Sequence, residues 1–174
     1  MAPIARRYPA LFLIFFVPLS LAQSLPDLRQ QGASAYKAGD VRLAIEKFDQ
    51  AARLGDTKSM YNLAIIYERG SGVPPDISRA KDLLKAAAAA GDADAQFFLY
   101  QLLTRAGGAM EDQQDAIKWL TESAKRGLVS AQTTIGTAYR FGNSVPKDPL
   151  EAKKWFEAAA TQGSAFAHVN LALM

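Results

Sequence analysis

The chain has 174 residues, 49% of them hydrophobic and 21% charged, a composition typical of a globular protein of roughly one domain. It has no cysteine and one histidine, which excludes a disulfide framework, a thiolate or multi-histidine metal site and a cysteine nucleophile. The formal net charge is +3, but Arg6 and Arg7 lie in a segment that we expect to be removed. The remainder is close to neutral, so the charge does not indicate nucleic-acid binding.

The chain begins with a segment typical of an export signal. Residues 1–24 contain no acidic residue, and two arginines near the start precede an apolar stretch at 10–21. These twelve residues are too few to span a bilayer. We therefore expect 1–22 to be a signal peptide cleaved after Ala22, leaving a mature chain that has no integral membrane segment. A Gram-negative periplasm is the expected location, and secretion beyond the cell is the alternative.

The next segments repeat at a fixed interval of 36 residues. The interval separates four glycines, four aspartates and four alanines, namely Gly55, Gly91, Gly127 and Gly163, Asp40, Asp76, Asp112 and Asp148, and Ala44, Ala80, Ala116 and Ala152. It also separates Leu83, Trp119 and Trp155. Several residue classes in one phase indicate tandem structural units.

Each period is predicted to form two short helices joined by a turn. Apolar residues recur at steps of three and four between 56 and 69, glycines and prolines follow at 70–75, and a second helix is expected from Asp76. We expect each repeated aspartate to cap its own helix, with a capping box formed by Asp148 and Glu151. Such short helices are marginal alone, so stability must come from stacking, with Trp155 buried between units.

The pattern at 131–159 resembles the Sel1-like repeat, a relative of the tetratricopeptide repeat. The resemblance implies an all-α, right-handed α-solenoid of stacked helix-turn-helix units at 55–90, 91–126 and 127–162, followed by a partial repeat or capping helix at 163–174. Residues 23–54 look more like an ordinary tetratricopeptide unit with a shorter turn. The last helix is largely apolar, so we expect either that the chain is a fragment or that another protomer or partner covers this end.

Such solenoids line their concave face with the first helix of each unit and bind peptides or proteins there. The tetratricopeptide groove positions, carried over by the resemblance, correspond to Tyr61, Ile65, Glu68, Phe97, Gln101, Thr104, Thr133, Thr137 and Arg140. The front half of this set is more apolar, so Tyr61, Ile65 and Phe97 are expected to be the anchors. The alternative is that these side chains pack against neighbouring helices.

The resemblance implies a non-catalytic scaffold or regulatory adaptor that binds a partner protein or peptide in the cell envelope, without cofactor or metal. A second hypothesis is a protein that binds or hydrolyses a cell-wall or β-lactam ligand, because Ser-x-x-Lys occurs at Ser34, Ser78 and Ser144. The accompanying Ser-Asp-Asn and Lys-Thr-Gly motifs are missing from the sequence. A third is a secreted effector that acts on a host. The partner and the oligomeric state are left open.

Overall fold

The computed structural model describes residues 24–105 and 110–174, without the side chains of 110–112. The expected signal peptide at 1–22 lies outside these ranges. The described residues form helices and no strand, which confirms the all-α solenoid. The helices are α1 (Leu25–Lys37), α2 (Val41–Arg53), α3 (Thr57–Arg69), α4 (Ile77–Ala89), α5 (Ala93–Arg105), α6 (Met110–Lys125), α7 (Val129–Phe141), α8 (Pro149–Ala160) and α9 (Ala165–Ala172).

Consecutive helices pack as hairpins, and the hairpins stack in chain order. Helices α1 and α2, α3 and α4, α5 and α6, and α7 and α8 are the closest pairs, and each second helix also packs against the first helix of the next pair. Helix α9 packs on α8. Within the described residues, no helix is both long and apolar enough to cross a membrane.

Aspartates begin three of the second helices, as the sequence predicts. The carboxylates of Asp40, Asp76 and Asp148 accept hydrogen bonds from backbone N–H groups three residues further on, at 3.0, 2.9 and 3.0 Å. Each bond satisfies a donor that the first turn of a helix leaves unpaired. The repeated aspartate therefore fixes where the second helix of these units starts.

Two details of the capping prediction are wrong. Helix α6 begins at Met110, so Asp112 lies inside the first turn instead of capping it. Glu151 does not reach back to Asp148, because the Asp148 N–H already donates to the Tyr139 carbonyl at 2.9 Å, and Glu151 pairs with Lys154 instead. The capping box of the described chain is at the start of α1, where Ser24 and Asp27 bond reciprocally.

The cores of the first and fourth hairpins match a large side chain with glycine. The second helices carry a row of fully buried residues 36 positions apart, namely Phe48, Leu84, Leu120 and Phe156. A Cβ added to Gly32 would lie 2.7 Å from the Phe48 ring, and one added to Gly136 would lie 3.0 Å from the Phe156 ring. The two phenylalanines therefore fit only because glycine faces them. The middle hairpins carry leucine in this row, with Ala64 or Tyr100 at the glycine position.

The tryptophans lie beside this row and not in it. Trp119 and Trp155 are partly buried and pack against the core clusters, whereas Phe156 has no exposed surface. The expectation that Trp155 is buried between units is therefore only partly met. The residue that fills the centre of the last hairpin is the one after it.

Two glutamines form hydrogen bonds that connect a hairpin to the one before it. The Gln96 amide donates to the Ala88 carbonyl at 3.0 Å, and the Gln132 amide donates to the Ala124 carbonyl at 3.2 Å. Gln162 completes the second site by donating to the Gln132 side-chain oxygen at 2.9 Å and to the Gly127 carbonyl at 3.1 Å. The corresponding oxygen of Gln96 is buried without a hydrogen-bond partner.

Turn lengths distinguish the first unit from the others. Residues 38–40 join α1 to α2, whereas 70–76 and 142–148 join α3 to α4 and α7 to α8. Gly70 and Gly142 end α3 and α7 with φ of 66° and 78°, a left-handed conformation that glycine adopts without strain. The first turn is therefore four residues shorter than the two later ones.

Candidate functional site

The nine predicted groove residues occupy the same three positions in each of α3, α5 and α7. Their spacing within a helix is four and then three residues, which places them on one helical face. Because the helices are one period apart and α3 also touches α5, the residues form rows across the stack. These rows define the groove discussed below.

Tyr61 takes part in an aromatic contact between units, and Phe97 in one within its own helix. The ring of Tyr61 meets Phe98 of the next unit edge-on, with centroids 5.8 Å apart, and Phe97 stacks on Tyr100 at 6.0 Å. Both side chains are partly buried. Burial, followed by the charge of Asp94, raises the pKa of the Tyr61 hydroxyl. Only part of each ring is therefore available to a partner.

The charged residues of the groove are also engaged with the next unit. Glu68 forms an ion pair with Arg105 and lies 3.9 Å from Arg69. The guanidinium of Arg140 donates to the side-chain oxygen of Asn170. These contacts connect α3 with α5, and α7 with α9, along the groove.

The threonines of the groove bond to their own helices. Thr133 donates to the Val129 carbonyl at 3.1 Å, Thr137 to the Thr133 carbonyl at 2.8 Å, and Thr104 to the Tyr100 carbonyl at 3.0 Å. Gln101 is partly buried beside them. Because each hydroxyl proton is directed at the helix, these threonines present an accepting oxygen and a methyl group to a ligand.

A first cavity of about 290 Å³ opens between α1, α2 and α3. Of the predicted groove residues it contains only Ile65. Its lining is mostly apolar, with polar groups at the ends of α1 and α3, and consists of Ala33, Tyr36, Lys37, Phe48, Asn62, Ile65, Ile66 and Arg69.

A second cavity of about 320 Å³ lies at the equivalent place two units further on. The α7 residues Thr134, Thr137 and Ala138 take the places of Asn62, Ile65 and Ile66 in the first cavity, two periods earlier. Its lining carries no Lys, Arg, Asp or Glu and consists of Tyr100, Ile117, Thr133, Thr134, Thr137, Ala138, Asn143, Ser144 and Phe166. The repeat thus places two cavities of different polarity along one groove.

The apolar character of α9 is expected from the sequence, but the predicted groove residues do not include this helix. Val169 and Leu173 lie one period after Thr133 and Thr137, and they are 58% and 67% exposed. Phe166, also exposed, lines the second cavity. Extending the 36-residue spacing by one unit would have found Val169 and Leu173. Along the groove rows and their continuation on α9, the exposed apolar side chains therefore lie at the C-terminal end, whereas the expected anchors at the front are partly buried.

An ion-pair cluster fixes α5 against α3 at the other end of these helices. Lys58 lies 3.2 Å from Asp92 and 2.6 Å from Asp94, and Asp92 also accepts from the Ala95 N–H at 3.0 Å. Burial alone would raise the pKa of the Asp92 carboxyl, but these hydrogen bonds lower it below its usual value. This carboxylate therefore stabilises the fold above its unfolded pKa, and the stabilisation is lost as the pH falls through the lowered value.

The serines of the three Ser-x-x-Lys motifs do not share a site in the described part of the chain. Ser34, Ser78 and Ser144 are exposed at separate places, on α1, on α4 and in the turn before α8. No hydrogen bond within the described ranges joins any of these hydroxyls to the lysine three residues later. The same part of the chain contains no cluster of three His, Asp or Glu residues that could hold a metal ion. The arrangement provides surfaces for binding.

A linear stack of helical hairpins with a groove along its first helices defines an α-solenoid repeat protein. Three consecutive stretches, 57–92, 93–128 and 129–164, match the Sel1 repeat. The chain therefore belongs to the Sel1 repeat family. The matched stretches start two residues after the units predicted from the sequence.

Two solved structures show the same fold. One is a protective antigen from uropathogenic Escherichia coli strains displaying an SLR fold, 28% identical, with a TM-score of 0.75. The other is a Sel1 repeat protein from Oxalobacter formigenes, also 28% identical with a TM-score of 0.75. The matches cover 85% and 90% of this chain, but only 32% and 66% of those proteins. No curated protein sequence matches the chain significantly.

Proposed function

We propose that this protein is a non-catalytic scaffold or regulatory adaptor that binds a partner protein or peptide in its groove. The observation that carries the proposal is the pair of equivalently placed cavities on the face formed by the first helices. Proteins built from Sel1 repeats generally mediate protein–protein interaction, which supports the same role. The signal-like sequence of 1–22 supports a place in the bacterial cell envelope, with secretion as the alternative.

The dimensions of the groove favour an extended peptide over a small metabolite. Each cavity is at the lower end of the range of small-molecule sites, about 300 to 1,000 Å³. Two such cavities along one surface suit the successive side chains of a peptide segment. The exposed apolar side chains Phe166, Val169 and Leu173 extend this surface, and such clusters commonly supply the anchoring energy of an interface.

Selection of a random peptide library against the immobilised protein tests the proposal. We expect selected peptides to bind wild type and to lose about tenfold or more in affinity on Thr137→Trp, which fills the second cavity, and on Val169→Asp, which places a charge on α9. Titration with labelled selected peptides measures these affinities.

The matched control is Leu150→Asp. Leu150 is 73% exposed on α8 and lines neither cavity, so this variant should bind like wild type. Helicity by circular dichroism and melting temperature verify that all three variants are folded. If no peptide is selected, or if the Thr137 and Val169 variants bind as Leu150→Asp does, the groove is not the binding site.

A further inference from the structure

The two cavities of the groove differ in charge, although the repeat places them equivalently. The second cavity is lined by no ionic side chain, whereas the first has Lys37 and Arg69 at its edge. These cations are the last residues of α1 and α3, so they stand at the same end of neighbouring helices. Between them, Phe48, Ile65 and Ile66 line the apolar part of the cavity.

Both cations have capacity to bind an anion. Lys37 forms no ion pair with any side chain of 24–105 or 113–174, and the lining of the first cavity contains no carboxylate. Among the side chains that the structure describes, the one acidic partner of Arg69 is Glu68, at 3.9 Å. Glu68 pairs more closely with Arg105, and its side chain is only 11% exposed. Glu68, the carboxylate nearest to Arg69, is therefore paired mainly with Arg105 of the next unit.

A basic residue in the last turn of a helix has a second possible role, because it offsets the negative end of the helix dipole. Arg53, in the last turn of α2, has such a position without lining either cavity, and it pairs with Asp49 at 2.7 Å. Lys37 and Arg69 differ from Arg53 because they flank an apolar cavity together. A ligand that suits them combines an apolar group with nearby negative charge.

We propose that the first cavity binds one aliphatic or aromatic side chain of an acidic peptide segment, with Lys37 and Arg69 pairing the Asp or Glu side chains on either side of it. This inference rests on the proposed function and specifies the chemistry of its partner. The uncharged second cavity then receives a neutral part of the same segment. Complementary charge at one end of the groove sets the direction in which the peptide lies.

The direct probes are short peptides blocked at both ends, so that only side chains carry charge. We expect labelled acetyl-Asp-Asp-Leu-Asp-Asp-amide to bind wild type about tenfold or more tightly than the matched peptides in which lysine replaces aspartate or serine replaces leucine. Fluorescence anisotropy at two salt concentrations measures this, and the preference over the lysine peptide should shrink as salt rises.

Three variants that each remove one charge test the assignment. The affinity for the acidic peptide should fall when a cation is removed and rise when the carboxylate is removed. Lys37→Gln and Arg69→Gln should each weaken binding of the acidic peptide about threefold to tenfold, whereas Glu68→Gln, which removes the competing carboxylate, should tighten it. Arg53→Gln is the matched control and should leave affinity unchanged. Ala33→Phe, which fills the cavity and leaves its cations in place, should weaken binding of the acidic peptide and remove its preference for leucine over serine.

The inference fails if the acidic and lysine peptides bind equally, or if Arg69→Gln behaves as Arg53→Gln does in a chain of normal helicity. In that case, library-selected peptides that still depend on Thr137 and Val169 would leave the proposed function intact. If neither the probes nor the library peptides bind, both the inference and the proposed function fail.

Discussion

Two buried glutamines at equivalent positions differ in how fully they are hydrogen-bonded. Both donate to a carbonyl near the end of the preceding helix, but only Gln132 also accepts a bond, from Gln162. The residue one period before Gln162 is Arg126, whose guanidinium lies close to Gly91. The side-chain oxygen of Gln96 is left without a partner, and such a buried oxygen costs free energy.

Arg126→Gln is expected to stabilise the protein. The shorter amide can reach Gln96 and the Gly91 carbonyl as Gln162 reaches Gln132 and Gly127, so the free energy of unfolding should rise by about 0.5 to 1.5 kcal/mol. Urea denaturation followed by circular dichroism measures the change. Arg126→Ala removes the guanidinium without supplying an amide, and equal stability of the two variants would contradict the explanation.

At the scale of the helices, three of the four hairpins pair a large side chain of the second helix with a small residue of the first, whereas the third pairs Leu120 with Tyr100. Phenylalanine in the second helix requires glycine in the first, and in the second hairpin Leu84 takes the phenylalanine position while Ala64 takes that of glycine. The total volume at the crossing is kept while its division between the helices changes. Exchanges of this kind are better tolerated than a change on one side.

Gly32→Ala should therefore destabilise the first hairpin, although alanine is the better helix former. The new Cβ would lie 2.7 Å from the Phe48 ring, so we expect a cost of about 1 to 3 kcal/mol after the helix-propensity gain of about 1 kcal/mol is included. Combining it with Phe48→Leu reproduces the residue pair of the second hairpin and should recover part of the loss. Urea denaturation of both single variants and the double variant gives the coupling energy, and strict additivity would rule out the pairing.

The hairpins and most of their caps could be predicted because each depends on residues close together in the sequence. Which of two adjacent apolar residues faces the core could not be predicted. Trp155 and Phe156 are both large and apolar, and the 36-residue spacing contains both rows, so the pattern does not say which one faces the centre. Neighbouring helical positions are about 100° apart, and only the packing of the partner helix decides between them.

The candidate site was less accessible to prediction because it depends on where neighbouring units meet. The resemblance to tetratricopeptide repeats supplied the groove rows on α3, α5 and α7, and Ile65, Thr133 and Thr137 do line cavities. The contributions of Tyr36 and Lys37 come from the first unit, whose shorter turn breaks the 36-residue register. Their position opposite Arg69 therefore follows from the fold and not from the spacing.

At the scale of the whole molecule, the described residues form a stack in which the main contacts of each hairpin are with its neighbours. The groove changes character along this stack, from an apolar cavity edged by cations at α1 and α3 to exposed apolar side chains on α9. A partner that follows the groove meets these surfaces in a fixed order. Under the proposed function, this asymmetry would make binding depend on the direction in which a peptide lies.

Export is the prediction that concerns the whole chain. When the full sequence is expressed in a Gram-negative bacterium, we expect the product in the periplasmic extract to begin at Gln23, as measured by intact mass and N-terminal sequencing. Leu13→Asp interrupts the apolar stretch of the signal and should leave an uncleaved precursor in the cell interior. Wild-type chain found uncleaved in the cytosolic fraction would contradict the proposed location.

The pairing of glycine with phenylalanine inside a hairpin also bears on how genes for such proteins change length. A crossover in the short links at 54–56, 90–92 or 126–128 leaves the two members of every pair on the same inherited segment. A crossover in the turns at 70–76 or 142–148 separates the two members. The recombinant protein is then expected to have a void or a steric clash in the hairpin core. Insertions and deletions that begin and end in the links are therefore expected to keep these pairs together within complete hairpins.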